Sequence, residues 1–409
     1  MKLHSNTVYG VINAIDEIFN NGKYADKVIE KTLRSNPKWG ARDRAFIAES
    51  VYEIVRWWRL VNEVSPSEDL FHIFGTYWLM QGHDLPTWRE FEGIDPEEVK
   101  ARYKAIQDRP TLQSIPDWLD EMGEELLGDK WNKELDTLNE QAAVVLRVNT
   151  LKTTREDLMN KLEAEGIHTY APKGYKDALV LGKRHNMFRS PTFKEGLFEV
   201  QDASSQLVAA ALEVEPGMRV IDACAGAGGK SLHLAALMEN KGRILSMDVE
   251  EWKLQNTKLR ARRAGVSIIE PKVIESNKTI KRLKETADRV LLDVPCSGLG
   301  VLKRNPDTKW KLSPESIEKV IGIQQEILQN YGVMLKPGGI MVYATCSILP
   351  SENSQQVQKF LASEKGQEFE LLEEQKVLAH ESGFDGFYIA KLKKKASKEV
   401  GSPKDEVRG

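Results

Sequence analysis

Apolar residues recur at i, i+3, i+4 and i+7 through the first third of the chain, and the period then changes. VYGVINAIDEIF, YADKVIEKTLR and RDRAFIAESVYEIVRWWRLVNEV each carry such a stripe, which predicts amphipathic helices. No strong strand signal interrupts them. Six tryptophans fall here (Trp39, Trp57, Trp58, Trp78, Trp88 and Trp118) and are expected in the helical core, where aromatic burial counts for most. Pro116 suits the first turn of a further helix, PDWLDEMGEELLG.

A short mixed segment follows. Strands are expected at residues 144–150, 178–182 and 196–202, around a capped helix, TTREDLMNKLEAEGI, that stops near Gly166. From Ala203 the pattern settles into strand–helix alternation, with strands at 219–225, 243–249, 271–276, 289–294 and 340–344. Such alternation implies a parallel sheet covered by helices on both faces. Two last runs, 369–373 and 386–393, close it as an antiparallel hairpin. The fold expected is α/β: a mostly parallel seven-stranded sheet, preceded by an all-helical domain and a small α/β segment. The boundaries are 1–130 helical, 131–200 connecting, 201–395 catalytic, and 396–409 a lysine-rich tail without an apolar stripe, expected to be disordered.

Composition narrows the setting. Three cysteines in 409 residues give no disulfide framework, which points to a reducing, cytoplasmic protein. No apolar run approaches the roughly 20 residues of a membrane span, and the N-terminus has no signal-peptide core. No metal site is expected, and the chain is expected to be a monomer. A net charge of −3 means that any nucleic acid must be held by local basic patches.

RVIDACAGAGGKSLHLAALM reads as strand, glycine-rich turn and helix. A P-loop would need glycine where Cys224 stands, and a dinucleotide turn would need it where Ser231 stands. S-adenosylmethionine fits better, because its amino-acid end suits a turn of exposed backbone N–H and C=O groups. The expected cofactor residues are Cys224, Ala225, Gly226, Ala227, Gly228, Gly229 and Lys230, with Asp248 ending the next strand to accept the ribose hydroxyls, and Asp293 nearby. The alternative reading of Asp248, a helix N-cap, is the weaker one.

The remaining cysteines end two later strands, Cys296 in LLDVPCSGLG and Cys346 in MVYATCSI. Free cysteines are more often buried small hydrophobes. Two of them near a methyl-donor turn suggest another use. Carbon 5 of a pyrimidine is a poor nucleophile until a thiolate adds at carbon 6 and makes the ring an enamine. Asp293 is placed to stabilise such an adduct at N3, and Lys230 to lower the thiol pKa or to relay protons.

These pieces resemble the RsmB/Sun-like RNA (cytosine-5) methyltransferases over most of the chain. The resemblance is carried by DACAGAGGK, SMDV, LLDVPCSGLGVLKRNPDTKW, LKPGGIMVYATCSILPSEN and FDGFYIAKL, and upstream by VQDASSQLV, LRVNTLK and IPDWL. It implies a Rossmann-like class I methyltransferase domain. It also implies that Cys346 is the nucleophile, that Cys296 assists release of the product, that Asp293 contacts the base edge, and that Cys224 belongs to the cofactor loop. RDRAFIAESVYEIVRWWRLVNEV resembles the NusB-like RNA-binding domain of bacterial members, which implies a ribosomal RNA substrate. Several positions depart from the pattern. Ala227 stands where proline is usual, Ser276 and Asn277 where an Asp meets adenine, Leu299 for Thr and Asn305 for His.

Between Trp252 and Leu312 there are 15 Lys or Arg against 6 Asp or Glu, as an RNA-binding face would need. Arg304, Lys309 and Trp310 are expected to hold phosphates and stack a base, with Arg42, Arg44, Arg56 and Arg59 adding contacts from the helical domain. Two alternatives stay open. One is a DNA cytosine-5 methyltransferase using Cys296. The other is a non-catalytic RNA-binding factor in ribosome assembly.

Overall fold

Continuous apolar runs make the strands at the centre of the molecule, and their burial on both faces explains the lack of alternation. In the computed structural model, which describes residues 3–396, Val290, Leu291 and Leu292 of one strand and Met341 to Ala344 of its neighbour are fully buried. The chain divides into two compact units, the first built from residues 3–142, Ser297–Ile317 and Leu378–Asp385, the second from the remaining described residues. The segment just after PCSG therefore belongs with the helical unit and not with the sheet that precedes it. The tail expected to be disordered lies outside the described residues from 397 onward.

The first unit is helical. Along Ser5–Phe19 the stripe Val8, Val11, Ile12, Ile15 and Ile18 is buried, and it packs with Ile47, Val51 and Ile54 of Ala41–Arg56. The long stripe ending in RWWRLVNEV is not one helix. It breaks at Trp57, and a second helix runs Trp58–Val64. Asp69 caps Leu70–Met80 by accepting the Phe71 and His72 N–H groups. Of the six tryptophans, Trp39 and Trp78 are buried, and Trp57, Trp58 and Trp88 pack against the same core.

The second unit carries two sheets. The smaller has β1 (Val145–Val148), β2 (Thr169–Tyr170), β3 (Ala178–Leu181) and β4 (Phe198–Val200) in the order β2-β3-β1-β4, all antiparallel. The larger has β5 (Arg219–Asp222), β6 (Arg243–Asp248), β7 (Ile269–Val273), β8 (Ala287–Asp293), β9 (Leu335–Thr345), β10 (Phe369–Val377) and β11 (Phe387–Lys394). Their order is β10-β11-β9-β8-β5-β6-β7. β5 to β9 are parallel, and β11 runs antiparallel between β9 and β10. The chain steps outward from β5 to β7 and then returns to β8 on the other side of β5. This makes β5/β8 the switch point, where an open parallel sheet forms its ligand crevice.

Candidate active site

β5 ends at Asp222, and the turn after it is pinned from both sides. Ala223 N–H donates to Leu291 O of β8 (2.9 Å), and Ala225 N–H to Met247 O of β6 (2.8 Å). Gly226 and Gly228 both take positive φ, 53° and 78°. A Cβ on Gly228 would lie 2.5 Å from the Thr257 methyl, whereas one on Gly226 would meet nothing within 4 Å and faces open space. The helix Gly229–Leu237 then starts under the turn.

Asp248 closes the turn from β6. One carboxylate oxygen accepts the Gly226 N–H and the other the Glu250 N–H, each at 2.9 Å. Each oxygen has two lone pairs, so a diol can still be bound. A cavity of about 380 Å³ opens here, lined by Cys224, Gly226, Asp248 and Asp293 on one side and by apolar Val249, Ile274, Ile327 and Tyr331 on the other. A polar end beside an apolar slot suits S-adenosylmethionine. Asn277 lines the slot where an acidic adenine contact is usual. Burial, with the nearby Asp222 carboxylate, pushes the Cys224 thiol well up, which leaves it a neutral wall of the cavity.

Sequence reasoning missed what holds this turn. Arg260 donates to Ala227 O (2.8 Å) and also to Glu199 (3.0 Å), whose other oxygen takes Arg263. Arg147 of β1 donates to Gly229 O (2.6 Å) and to Gln201. The turn that lacks a proline at Ala227 is thus tethered by two guanidinium groups. A basic count read as RNA surface hid Arg260 and Arg263. Their partner Glu199 lies 61 residues before Arg260, so no local pattern marked the pair.

The candidate reacting groups gather at the ends of β8 and β9. These strands pair in parallel up to Asp293 and Ala344, and the ladder ends with Val294 N–H donating to Ala344 O at 3.0 Å. Beyond it Cys296 Sγ and Cys346 Sγ stand 3.2 Å apart, both half-buried and neither in a disulfide. Lys230 Nζ donates to Asp293 Oδ2 at 2.6 Å and lies 5.5 Å from the centre of the Phe387 ring. Burial alone would lower the Lys230 pKa; the Asp293 carboxylate, helped by Cys346, outweighs it and raises it. Lys230 is therefore held in its ammonium form beside Asp293.

The expected RNA contacts need correction. Lys309 is 1% exposed and donates to Asn139 Oδ1 (3.1 Å); burial and the nearby Arg56 hold its amine well below the usual lysine range. It is an interior residue and cannot meet a phosphate. Trp310 gives its indole N–H to Val55 O (2.7 Å), and its ring packs on the helical core. Arg304 is ion-paired with the buried Asp385 (2.6 Å). Arg44 is spent on the Leu33, Trp39 and Asn36 carbonyls, Arg56 on those of Leu302 and Lys303, and Arg59 on Thr111, Ile115 and Asp117. Arg42 is exposed. The cations between 302 and 311 were read as a surface because charge counts carry no burial.

Among the described residues no group of three or more His, Cys, Asp or Glu could hold a metal ion, and no helix is long and apolar enough to cross a membrane. A larger cavity, about 680 Å³, lies in the helical unit beside Trp57, Tyr77 and Tyr103.

Comparison with known proteins places this geometry. A family model described as 16S rRNA methyltransferase RsmB/F matches residues 209–393, and one described as the ferredoxin-like domain of RsmF/B-like methyltransferases matches 115–187. A probable ribosomal RNA small subunit methyltransferase B from Synechocystis is 32% identical, over 92% of this chain and 97% of its own. The chain belongs to the RsmB/F family. Two solved structures agree with the RsmB/F fold seen here. The crystal structure of PH0851 superposes with a TM-score of 0.82 at 25% identity, covering 96% of this chain and all of that one. A methyltransferase homologue from Pyrococcus horikoshii does so at 0.62 and 28%, covering 70% of this chain and 97% of its own. As an RsmB/F member the protein is an S-adenosylmethionine-dependent RNA methyltransferase.

Proposed function

We propose that the enzyme methylates carbon 5 of a cytosine in small-subunit ribosomal RNA, with Cys346 as the covalent nucleophile and Cys296 assisting release. The observation that carries this reading is the 3.2 Å approach of the two sulfurs at the ends of adjacent strands, beside the Lys230–Asp293 pair. A DNA enzyme of this chemistry needs only the PC-motif cysteine and leaves Cys346 without a task.

The target base leaves its stack to reach these groups. The Cys346 thiolate adds to carbon 6, and N3 takes the proton shared between Lys230 and Asp293, which makes carbon 5 an enamine carbon, and returns it once carbon 5 is methylated. S-adenosylmethionine, held by the turn 224–230 and by Asp248, supplies the methyl group as an electrophile. Carbon 5 takes that methyl and then loses its proton to a base. The electrons of the carbon 5–hydrogen bond restore the ring double bond and expel the Cys346 thiolate. Cys296, in sulfur contact with it, donates the proton that turns the expelled thiolate into a thiol.

The RNA contacts we assign to exposed cations of the second unit, Lys258, Arg262, Lys278, Lys281 and Lys284, and to Arg42 of the first. Three cysteines outside any disulfide, with an RNA substrate, support a cytoplasmic enzyme. Methyl-labelled S-adenosylmethionine tests the reading. Label should appear as 5-methylcytidine in digested small-subunit RNA and not in duplex DNA. Label in DNA, or none in either, contradicts it.

A further inference from the structure

The backbone ladder between β8 and β9 stops at Val294, yet the two reacting sulfurs lie beyond it on separate loops. Something other than the sheet must keep those loops in register. The helix Pro314–Tyr331 supplies one candidate, the fully buried side chain of Gln324. Its Nε2 donates to Pro295 O (2.9 Å), the residue before Cys296, and to Glu352 Oε1 (3.0 Å). Both partners are acceptors, so the amide orientation is fixed.

Glu352 is itself fully buried and continues the link. Its second carboxylate oxygen accepts the hydroxyl of Ser347, the residue after Cys346, and its backbone carbonyl accepts the Tyr343 phenol (2.6 Å). Asn353 completes the frame. It accepts the Thr345 hydroxyl at 2.5 Å and donates to Ser347 O at 2.9 Å. Each cysteine thus has its neighbour in the chain held by one connected set of buried hydrogen bonds.

Gln324 Oε1 is buried without a hydrogen-bond partner. An unsatisfied buried acceptor costs stability, and an apolar side chain of similar volume would avoid the cost. Packing alone does not favour glutamine here; the two bonds from Nε2 do.

We propose that Gln324, acting through Glu352, is a positioning residue that sets the distance between Cys296 and Cys346 and so couples product release to covalent attack. This rests on the proposed roles of the two thiols. Neither Gln324 nor Glu352 touches the base; they act through the loops.

The test uses the full-length enzyme on a methyl-accepting ribosomal RNA. Gln324→Leu keeps the volume and removes both bonds. Thermal unfolding should move to lower temperature, because Pro295 O and one Glu352 oxygen lose their buried donor, while turnover falls about tenfold to a hundredfold, the scale expected when reacting groups shift by about 1 Å. KM for S-adenosylmethionine should stay as it was. A protein–RNA band that survives denaturation should accumulate, as for Cys296→Ala run beside it, because attack persists while release is slowed. If Gln324→Leu does not fold, Glu352→Gln, which keeps the shape and an acceptor for Ser347, serves in its place. Native turnover with no band from Gln324→Leu, while Cys296→Ala does give one, overturns this inference alone. No band from either removes the proposed thiol roles, and the inference with them.

Discussion

Cys296 Sγ and Cys346 Sγ lie 3.2 Å apart although 50 residues separate them, close enough for the thiol hydrogen of one to be shared with the other sulfur. The parallel register that puts Asp293 beside Ala344 brings the two chains out of the sheet at the same level, and buried bonds of Gln324 and Glu352 beyond the ladder link the loops that carry the sulfurs. Strand order thus contributes to bringing together the two sulfurs on which the proposed chemistry depends. The predictions below separate what holds this centre from what only surrounds it.

Arg260 ties the cofactor turn to Glu199 through three hydrogen bonds. Arg260→Met frees Ala227 O and leaves the buried Glu199 with Arg263 alone. Affinity for S-adenosylmethionine should weaken about tenfold, since a hydrogen bond from a charged donor is worth about 1.5–3 kcal/mol and part of that is recovered from water. Titration calorimetry measures it. Unchanged affinity would mean that the turn holds itself.

Lys309 is the reverse case. Its amine is buried, with its pKa driven well below the usual value first by burial and then by Arg56. A base whose folded pKa is depressed opposes folding at neutral pH, where the unfolded chain would bind its proton. Lys309→Met should therefore leave stability unchanged or raise it by about 1 kcal/mol, as often follows when a buried charge is replaced by a packed apolar group. RNA affinity should not change. Denaturant unfolding and a filter-binding assay check the two halves. A loss of RNA binding would return the residue to the surface role its sequence context suggests.

Asp222 lies under the turn, fully buried, accepting the Ser231 hydroxyl at 2.6 Å. Burial pushes its carboxyl up to about 7, against the lowering effect of that hydrogen bond. An acid whose folded pKa is raised contributes stability that is fully present below the unfolded value, near 4, and is lost as pH climbs through 7. The stability of the native protein relative to Asp222→Asn should therefore fall between about pH 4 and pH 7 and level off above it. Chemical denaturation at a series of pH values shows the difference directly. A flat difference would mean that Asp222 is ionised throughout.

Much of the fold was legible, and for physical reasons. Strands buried on both faces are continuous apolar runs, so β5, β6, β8 and the core of β9 stood out. β7 is an edge strand whose residues are at most half-buried and which contains Pro271. It starts two residues earlier than its apolar pattern suggested. β10 runs on to Val377 through EEQK, which carries no alternation because an edge strand in water needs none. The cysteines, Asp293 and the glycine turn could be found because reactive groups follow strand ends in short motifs. Gln324, Glu352, Glu199 and Arg260 could not, because they act on one another across 28 and 61 residues and no local spacing marks such pairs. Lys309 misled for the same reason: a charge in a basic run looks like surface until its neighbours are known.

The most direct measurement takes the two thiols apart. Purified Cys346→Ser and Cys296→Ala proteins, each mixed with unmodified small-subunit ribosomal RNA and S-adenosylmethionine, are run on a denaturing gel beside the native enzyme. The account predicts no turnover and no slow band for Cys346→Ser, and a strong slow protein–RNA band with little turnover for Cys296→Ala. A band that persists in Cys346→Ser, or methylation that survives without that sulfur, would contradict it.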